Sequence, residues 1–247
     1  MAKKNTKQPA KLQEALVLFK YILNLFGCKD LAALSGDLKD PALEGVDDEG
    51  CSRMFHALKK CLYTDVGISE QELREYDRHI VKYTKEINER RTEKITWKYY
   101  QYLALLFTEI YLDRYFTDKM RLLDDINCFL VDEFNFRPET WHEMPQFTDD
   151  DLNKLAFWCA TGSGKTLMLH VNIKQYLYYA EKHHAKKLNR ILILTPNEGL
   201  SKQHETELHA SGFHANLFTK QGQDGMFGGK QTVEVIDINK LAYTDGD

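Results

Sequence analysis

The chain has 247 residues, of which 43% are apolar, and its 33 Lys and Arg against 37 Asp and Glu give a net charge of −4. At about 100–200 residues per domain, this length allows one large domain or two small ones. The apolar fraction excludes a mainly disordered chain, and the acidic balance leaves no overall basic footprint for nucleic acid. Any nucleic-acid binding must therefore be local.

The cysteines and the N-terminus indicate the compartment. The five cysteines are widely spread and form neither a C-x-x-C pair nor a zinc-type spacing, so we expect reduced thiols. The first ten residues are polar and basic and lack the apolar stretch of a secretion signal. No apolar run is long enough to span a bilayer. These features predict a soluble, cytoplasmic protein with no membrane partner.

Helical periodicity dominates the first 150 residues. The stretch 12–26 carries an apolar stripe that stops at Gly27, which favours a helix with a left-handed cap. Residues 35–50 are rich in Gly, Asp and Glu and predict a loop. Ser69 and Glu72 have the spacing of a capping box that opens a further helix. The apolar positions of that helix form a seam for a neighbouring helix: Leu73, Tyr76, Ile80, Tyr83 and Ile87.

A second long helix is expected from Trp97 to Phe116. It is apolar around most of its circumference, which predicts a central place among the helices. Its dense aromatic residues could form a stacking platform for bases, but helical spacing favours a packed core. Residues 137–151 contain two prolines and an acidic run and are expected to connect this helical part to the rest.

From Lys154 the pattern changes to alternating strands and helices. We predict a short buried strand at 155–159, a helix at 166–180, a second buried strand at 191–194, a helix at 198–210 and a third strand at 233–236. Residues 214–232, with Gly222, Gly225, Gly228 and Gly229, are predicted to be a mobile loop. The chain is therefore expected to be α/β, with a helical region at 1–150 and a parallel sheet with helices at 151–247.

The strongest motif is Ala160-Thr161-Gly162-Ser163-Gly164-Lys165-Thr166, between a predicted strand and a predicted helix. Glycines let successive backbone N–H groups point at phosphate oxygens, and the helix adds its positive N-terminal end. Lys165 would bridge the β- and γ-phosphates as the catalytic lysine, and the Thr166 hydroxyl would ligate Mg²⁺. The pattern predicts a nucleotide-binding loop at residues 161–166, with ATP and Mg²⁺ as cofactors.

The first position of the general phosphate-loop template is Gly, and here it is Cys159, which we interpret as a small buried residue that ends the strand. The shorter form A-T-G-x-G-K-T resembles motif I of superfamily 2 helicases and translocases. The run Ile191 to Leu200 resembles their motif Ia, in which a strand ends in Thr-Pro and opens into a helix. This resemblance implies that Thr195, Pro196 and Asn197 contact the nucleic-acid backbone. The alternative is an ordinary helix start capped by Asn197.

Three stretches together carry a closer resemblance. Residues 157–166, 195–204 and 101–113 look like the N-terminal part of bacterial DEAD/DEAH-type helicase proteins of the type III restriction subunit group. The resemblance implies a RecA-like lobe, ATP hydrolysis with Mg²⁺, and DNA as a partner of the complete protein. A methylase or another defence-system subunit is a further candidate partner, in a restriction or phage-defence role.

The acidic motif II of this family is missing from its expected place. Phosphoryl transfer to water needs a metal-binding Asp and a second carboxylate at the end of a later strand. No strand after Thr166 ends in Asp-Glu, although Val233 to Leu241 fits the segment that precedes motif II in the family. Phe129 to Glu133 resembles the motif but precedes the phosphate loop, so we expect a helix end there. We therefore expect a fragment of a helicase that lacks the second lobe, binds nucleotide poorly and hydrolyses none.

Two other functions stay open on the sequence. A P-loop kinase for a small molecule would need an acceptor-binding acid and an Arg-bearing lid, and no Arg cluster follows Arg190. A non-catalytic docking module would use the helical region, on the strength of the seam between Leu73 and Ile87. Gln146 is a candidate for reading adenine, as an upstream glutamine does in related helicases. Five histidines are expected at the solvated surface and not at a metal: His183, His184, His204, His209 and His214.

Overall fold

The computed structural model describes residues 15–62, 67–134, 144–186, 188, 190–218, 226–227 and 230–240. The chain divides into two compact units. The helical unit comprises Met1–Arg78 and Trp97–Ala160, and the α/β unit comprises His79–Thr96 and Thr161–Asp247. The division at residue 150 that the sequence suggests stays a prediction.

The helical unit contains short and long helices joined by tight turns. Its helices are α1 (Val17–Leu25), α2 (Leu31–Ser35), α3 (Arg53–Lys59), the first part of α4 (Glu70–Asn88), α5 (Tyr99–Thr117) and α6 (Lys119–Phe129). Three short 3-10 turns lie at Asp37–Lys39, Pro41–Leu43 and Asp151–Asn153, and a π-helical turn at Leu130–Phe134 follows α6. The expected helix end at 129–133 is thus confirmed, and the expected loop at 35–50 contains two of the 3-10 turns.

Two of the predicted helix ends are confirmed in detail. Gly27, just beyond α1, has φ 65°, the left-handed conformation expected for a glycine that terminates a helix. The Glu72 backbone N–H donates to Ser69 Oγ (3.2 Å), and the Ser69 N–H donates to Glu72 Oε2 (2.7 Å). This reciprocal pair is the predicted capping box at the start of α4. Residues 1–14 and 135–143, which carry parts of the predicted first helix and connector, lie outside the described residues.

The core of the helical unit forms around α5. Leu105, Leu106 and Ile110 are fully buried, and Leu103 and Tyr111 nearly so. Of its aromatic residues, Tyr100 is the most open, with 41% of its surface exposed, and the others are buried or half-buried. The aromatic residues of this helix thus serve mainly in packing, as the helical spacing indicates, and not as an open stacking platform.

The α4 seam is buried along its whole length. None of its five residues exceeds 3% exposure: Leu73, Tyr76, Ile80, Tyr83 and Ile87. Since internal packing covers this seam, it offers no free surface for a partner. The observation that favours a docking module is therefore accounted for within the chain.

The α/β unit has a three-stranded parallel sheet, in the order β1 (Ile191–Thr195), β5 (Val233–Asp237), β2 (Ala215–Leu217). Two long helices, α7 (Lys165–Lys182) and α8 (Glu198–Ala210), connect the phosphate loop and the strands. Two short strands, β3 (Met226–Phe227) and β4 (Lys230–Gln231), form an antiparallel pair, and a 3-10 turn covers Ile238–Lys240. This arrangement confirms the predicted α/β class and its partial RecA-like parallel sheet.

The predicted loop at 214–232 is wrong in three places, since β2, β3 and β4 all lie within it. Residues 215–217 form β2 and pair with β5, with Ala215 opposite Val233. A three-residue strand is too short to show a clear alternation, so its partner and not its own pattern defines it. The four glycines of the predicted loop lie outside the described residues.

Helices α7 and α8 cover one face of the sheet. The shared core contains Ile173, Ile193, Leu208, Ala215, Val233 and Val235. On the other face, Leu192 and Leu194 are 50% and 55% exposed, so the prediction of a fully buried strand is wrong for β1. A continuous apolar run predicts a strand but does not show whether both of its faces are covered.

The second part of α4 and the following turn belong to the α/β unit. His79 packs on Tyr178 of α7 with ring centroids 4.4 Å apart, and Lys174 of α7 forms an ion pair with Glu86 at 2.8 Å. The Asn88 side chain closes the turn through two hydrogen bonds to the backbone of Ile95 (2.8 and 3.0 Å). A segment far from the phosphate loop in sequence is thus part of the same packed unit. Among the residues that the structure describes, none of the helices combines the length and apolar character that crossing a membrane requires.

Candidate nucleotide and nucleic-acid site

The phosphate loop leads into α7 through two glycines with unusual backbone angles. Gly162 has φ 75° and Gly164 has φ 80°, a region that side chains other than hydrogen make unfavourable. Gly164 is the N-cap of α7, and its carbonyl accepts the first helical bonds, from Leu167 (3.0 Å) and Met168 (3.1 Å). The helix therefore begins directly at Lys165, as the motif requires.

The N-terminus of α7 is suited to an anion. No side chain caps it, and its first turn contains no acidic residue. The first N–H groups of a helix and its dipole attract negative charge, and no acidic side chain of this first turn competes with a bound anion. Lys165 is exposed and Thr166 half-buried at the first two helical positions, while Ser163 is 9% exposed. The residues present fit a nucleotide phosphate with its metal ion.

The inner face of α7 fixes this end of the helix. Met168 is 3% exposed, and His170 and Val171 are fully buried. Because these residues lie within two turns of Lys165, the loop is attached to a rigid element. The predicted helix at 166–180 is confirmed with one further residue at its start and two at its end.

The strand predicted before the phosphate loop is wrong. Residues 154–160 form no strand, and Leu155, Phe157 and Trp158 are 37%, 43% and 61% exposed. Cys159 is half-buried and ends no strand. A strand needs a neighbour that accepts its backbone hydrogen bonds, and within the described residues the sheet consists of β1, β5 and β2. The apolar run alone could not reveal whether such a neighbour exists.

The motif Ia segment lies at the carboxyl edge of the sheet. β1 ends at Thr195, opposite Asp237 at the end of β5, and α8 starts at Glu198 after the turn. Asn197 caps α8, since its Oδ1 accepts from the Leu200 N–H at 2.9 Å. The alternative role of Asn197 as an ordinary helix cap is therefore confirmed, and this role does not conflict with a nucleic-acid contact.

The three predicted contact residues differ in exposure. Pro196 and Asn197 are exposed, whereas Thr195 is 3% exposed. The Thr195 hydroxyl lies 2.6 Å from Ser201 Oγ and also contacts the backbone oxygens of Asn197 and Ile236 at 3.2 and 3.3 Å. Thr195 therefore holds the turn together, and the exposed surface of the turn belongs to its two neighbours.

Charges around the N-terminus of α8 are mixed. Lys202 forms an ion pair with Glu198 one turn earlier (2.9 Å), and the Lys202 hydrogen bond, followed by its charge, lowers the pKa of Glu198. Lys240, in the turn after β5, also lowers that pKa through its charge. The carboxylate of Asp237 raises the same pKa, so two lysines and two carboxylates balance at this edge.

A buried polar cluster joins α7 to the C-terminal end of α8. His170 Nδ1 lies 2.8 Å from Ser211 Oγ, which also accepts from Arg91 (2.8 Å). Arg91 further donates to the carboxylate of Glu207 at 2.9 Å and to its carbonyl at 3.2 Å. Burial, then the charges of Arg91 and His204, lower the pKa of His170 to about 3, so the ring is neutral at physiological pH.

Sequence reasoning missed this cluster. Arg91 lies in a charged run that is typical of a solvated turn, and His170 occupies a helical position with no special spacing. The prediction of a solvated surface position is wrong for His183 and His204, which are both half-buried, and burial lowers the pKa of His204. Gln146 is exposed, and the structure attaches no particular role to it.

Comparisons with known proteins assign the chain to a family. The family profile described as type III restriction enzyme, res subunit matches residues 70–242, from the first turn of α4 to just beyond β5. Comparisons with curated proteins and with solved structures give no match. Because the family profile covers more than half of the chain, the chain belongs to the type III restriction enzyme res subunit family, a helicase-like family of ATP-dependent DNA enzymes.

Proposed function

We propose that the chain binds ATP with Mg²⁺ at residues 161–166 and serves as the N-terminal, nucleotide-binding part of an ATP-dependent DNA helicase or translocase in restriction or phage defence. The observation that carries the proposal is the uncapped N-terminus of α7, preceded by two left-handed glycines and followed by Lys165 and Thr166. Family membership supports ATP and DNA as the general classes of ligand.

Each residue of the loop has a definite task in this proposal. The backbone N–H groups of 162–166 hold the phosphate oxygens, and the Lys165 ammonium neutralises the charge of the β- and γ-phosphates. The Thr166 hydroxyl is the metal ligand that the chain supplies. A Mg²⁺ ion held there would supply positive charge against the phosphate oxygens. The chain's own part in these interactions is to position and neutralise the phosphates.

We also propose that the turn after β1 meets the DNA backbone. Pro196 and Asn197 are exposed at the carboxyl edge of a parallel sheet, where such sheets bind ligands. The resemblance of this turn to motif Ia and the family membership support a phosphate group there, since two carboxylates balance the nearby lysines. Thr195, being buried, contributes by holding the turn and not by direct contact.

Replacing Lys165 with alanine tests the nucleotide site. We expect at least a tenfold rise in the dissociation constant of a fluorescent ATP analogue in the presence of Mg²⁺, because the variant lacks the charge that meets the phosphates. The measurement is a titration of the full 247-residue chain by fluorescence anisotropy.

Lys186→Ala is the matched control for this titration. Lys186 is an exposed lysine beyond the end of α7, so its loss should change the dissociation constant less than about twofold. Equal affinity of the Lys165→Ala variant and the unmodified chain would show that the nucleotide does not use this loop.

A further inference from the structure

The turn between β1 and α8 is tied to the end of β5 by a side chain that no sequence motif identified. Asn239 Nδ2 donates to the Pro196 carbonyl at 3.2 Å and to Asp237 Oδ1 at 2.9 Å. Asp237 Oδ1 also accepts from the Asn239 backbone N–H at 3.0 Å. The two amide hydrogens of Asn239 therefore bond two different acceptors, the Pro196 carbonyl and the Asp237 carboxylate.

Asp237 anchors the Asn239 side chain to the end of β5. It is the last residue of β5, lies opposite Thr195 in the parallel register, and is 9% exposed. A carboxylate that accepts the N–H of the second residue along the chain fixes a tight local turn. The Asn239 side chain is therefore directed from a buried strand end toward the turn after β1.

The hydrogen bond to Pro196 sets the orientation of one peptide plane. A trans peptide places its carbonyl and its N–H on opposite sides, and the described chain contains no cis peptide bond. Fixing the Pro196 carbonyl on Asn239 therefore fixes the direction of the Asn197 N–H. Thr195 holds the same turn from its other end, through Ser201 Oγ and the Ile236 carbonyl.

We propose that Asn239 is a positioning residue for nucleic-acid binding. Through its hydrogen bond to the Pro196 carbonyl, it holds the turn in the shape in which the exposed Pro196 and Asn197 meet the DNA backbone. The proposal rests on the proposed function of this turn. Asn239 acts through the turn and not as a phosphate ligand, because both of its amide hydrogens are bound within the protein.

Hydrogen exchange in the full chain tests the link without DNA. In Asn239→Ala we expect the amides of residues 197–203 to exchange about threefold faster or more, since the turn loses its tether to β5. Asn239→Gln keeps the amide donors and should recover part of the protection. Asn216→Ala, at an exposed position of β2, is the matched control and should leave exchange in 197–203 unchanged. Unchanged exchange in Asn239→Ala would overturn the proposal.

Oligonucleotide binding tests the consequence of the link. We expect Asn239→Ala to weaken binding of a fluorescent oligothymidylate of about 20 nucleotides about threefold at low salt, with the slope of log Kd against log salt unchanged. The slope stays unchanged because the Asn239 amide carries no charge, so its loss removes no ion pair with a phosphate. Weaker binding without faster exchange would indicate a direct contact of Asn239 with the DNA, and faster exchange without weaker binding would likewise contradict a positioning role.

One outcome separates this inference from the proposed function beneath it. If the unmodified chain fails to bind the oligonucleotide, the DNA assignment of the turn falls, and with it the positioning role. The exchange measurement still decides whether Asn239 holds the turn, because that measurement contains no DNA.

Discussion

Replacing Asp77 with alanine is expected to destabilise the helical unit by about 3 kcal/mol. Asp77 is fully buried and accepts three hydrogen bonds, from the Ser52 N–H (2.9 Å), the Ser52 hydroxyl (2.5 Å) and the Tyr102 hydroxyl (2.6 Å). Hydrogen bonds to a charged group contribute roughly 1.5–3 kcal/mol each, and the lost acceptor leaves buried donors unsatisfied. The cost of burying the carboxylate offsets part of this sum.

The asparagine variant separates these opposing effects. Burial raises the pKa of Asp77 despite the hydrogen bonds from Ser52 and Tyr102, so the fold disfavours the charged form. An asparagine side chain at this position would keep one oxygen for the two hydroxyl donors and would carry no charge to desolvate, but its NH2 group would face the Ser52 N–H, a second donor. We therefore expect Asp77→Asn to cost about 2 kcal/mol, below the cost of Asp77→Ala.

Urea unfolding followed by tryptophan fluorescence measures the Asp77 variants. Trp97, 6% exposed, lies in the same unit and reports its unfolding. Asp124→Ala removes an exposed carboxylate on α6 and should change the free energy of unfolding by less than about 0.5 kcal/mol. Equal stability of Asp77→Ala and Asp124→Ala would contradict the role of Asp77 as the centre of a buried network.

Local signals account for what could be predicted from the sequence. Gly27, the pair Ser69 and Glu72, and the cap Asn197 determine helix ends through groups within a few residues, and the structure confirms all three. The phosphate loop is equally local, because its two glycines and the following helix form one continuous segment. Such signals do not depend on what the rest of the chain does.

Long-range packing accounts for what could not be predicted. The run at 155–159 has the composition of a strand but forms none, and β1 leaves Leu192 and Leu194 exposed on one face. Arg91 contacts Glu207 and Ser211, more than a hundred residues away in sequence. The spacing of nearby residues does not show whether a distant segment of the chain packs against them.

The site at the carboxyl edge of the sheet combines both kinds of information. The Thr-Pro-Asn segment could be found from its resemblance to motif Ia, and the predicted start of α8 at Glu198 is confirmed. The contribution of Asn239 became visible only when β5 was placed beside β1. Asp237 and Asn239, two residues apart after an apolar strand, have the pattern of a side-chain-stabilised turn, a signal that could have suggested the turn but not its contact with Pro196.

Acidification is expected to weaken the α/β unit through His170, whose neutral ring links α7 to Ser211. The pKa of His170 is lowered from 6.5 to about 3 in the fold, so protonation is disfavoured there relative to the unfolded chain. This stabilising contribution is fully present above pH 6.5 and is lost as the pH falls from 6.5 towards 3. At about pH 4.5, roughly two pH units below the unfolded value, the loss from this residue is about 3 kcal/mol.

The structure explains why the fold opposes a charge on His170. The ring is fully buried, Arg91 brings a positive charge to the same Ser211 hydroxyl, and the described residues supply no hydrogen-bond partner for Nε2. A second proton would therefore be placed beside a cation with no acceptor to receive it. His204, whose pKa is also lowered by burial, adds to the pH dependence in the same direction.

The test of this pH dependence is to replace His170 with glutamine, which can still bond Ser211 but does not titrate. We expect the variant to be less stable than the unmodified chain at about pH 7.5 and to lose about 3 kcal/mol less between about pH 7.5 and about pH 4.5. Amide exchange within α7 and α8 at both pH values, corrected for the intrinsic rate, measures the unit directly. His209→Gln, at an exposed position of α8, should keep the pH dependence of the unmodified chain. If His170→Gln keeps it as well, the acid sensitivity does not arise from the link between the phosphate-loop helix and α8.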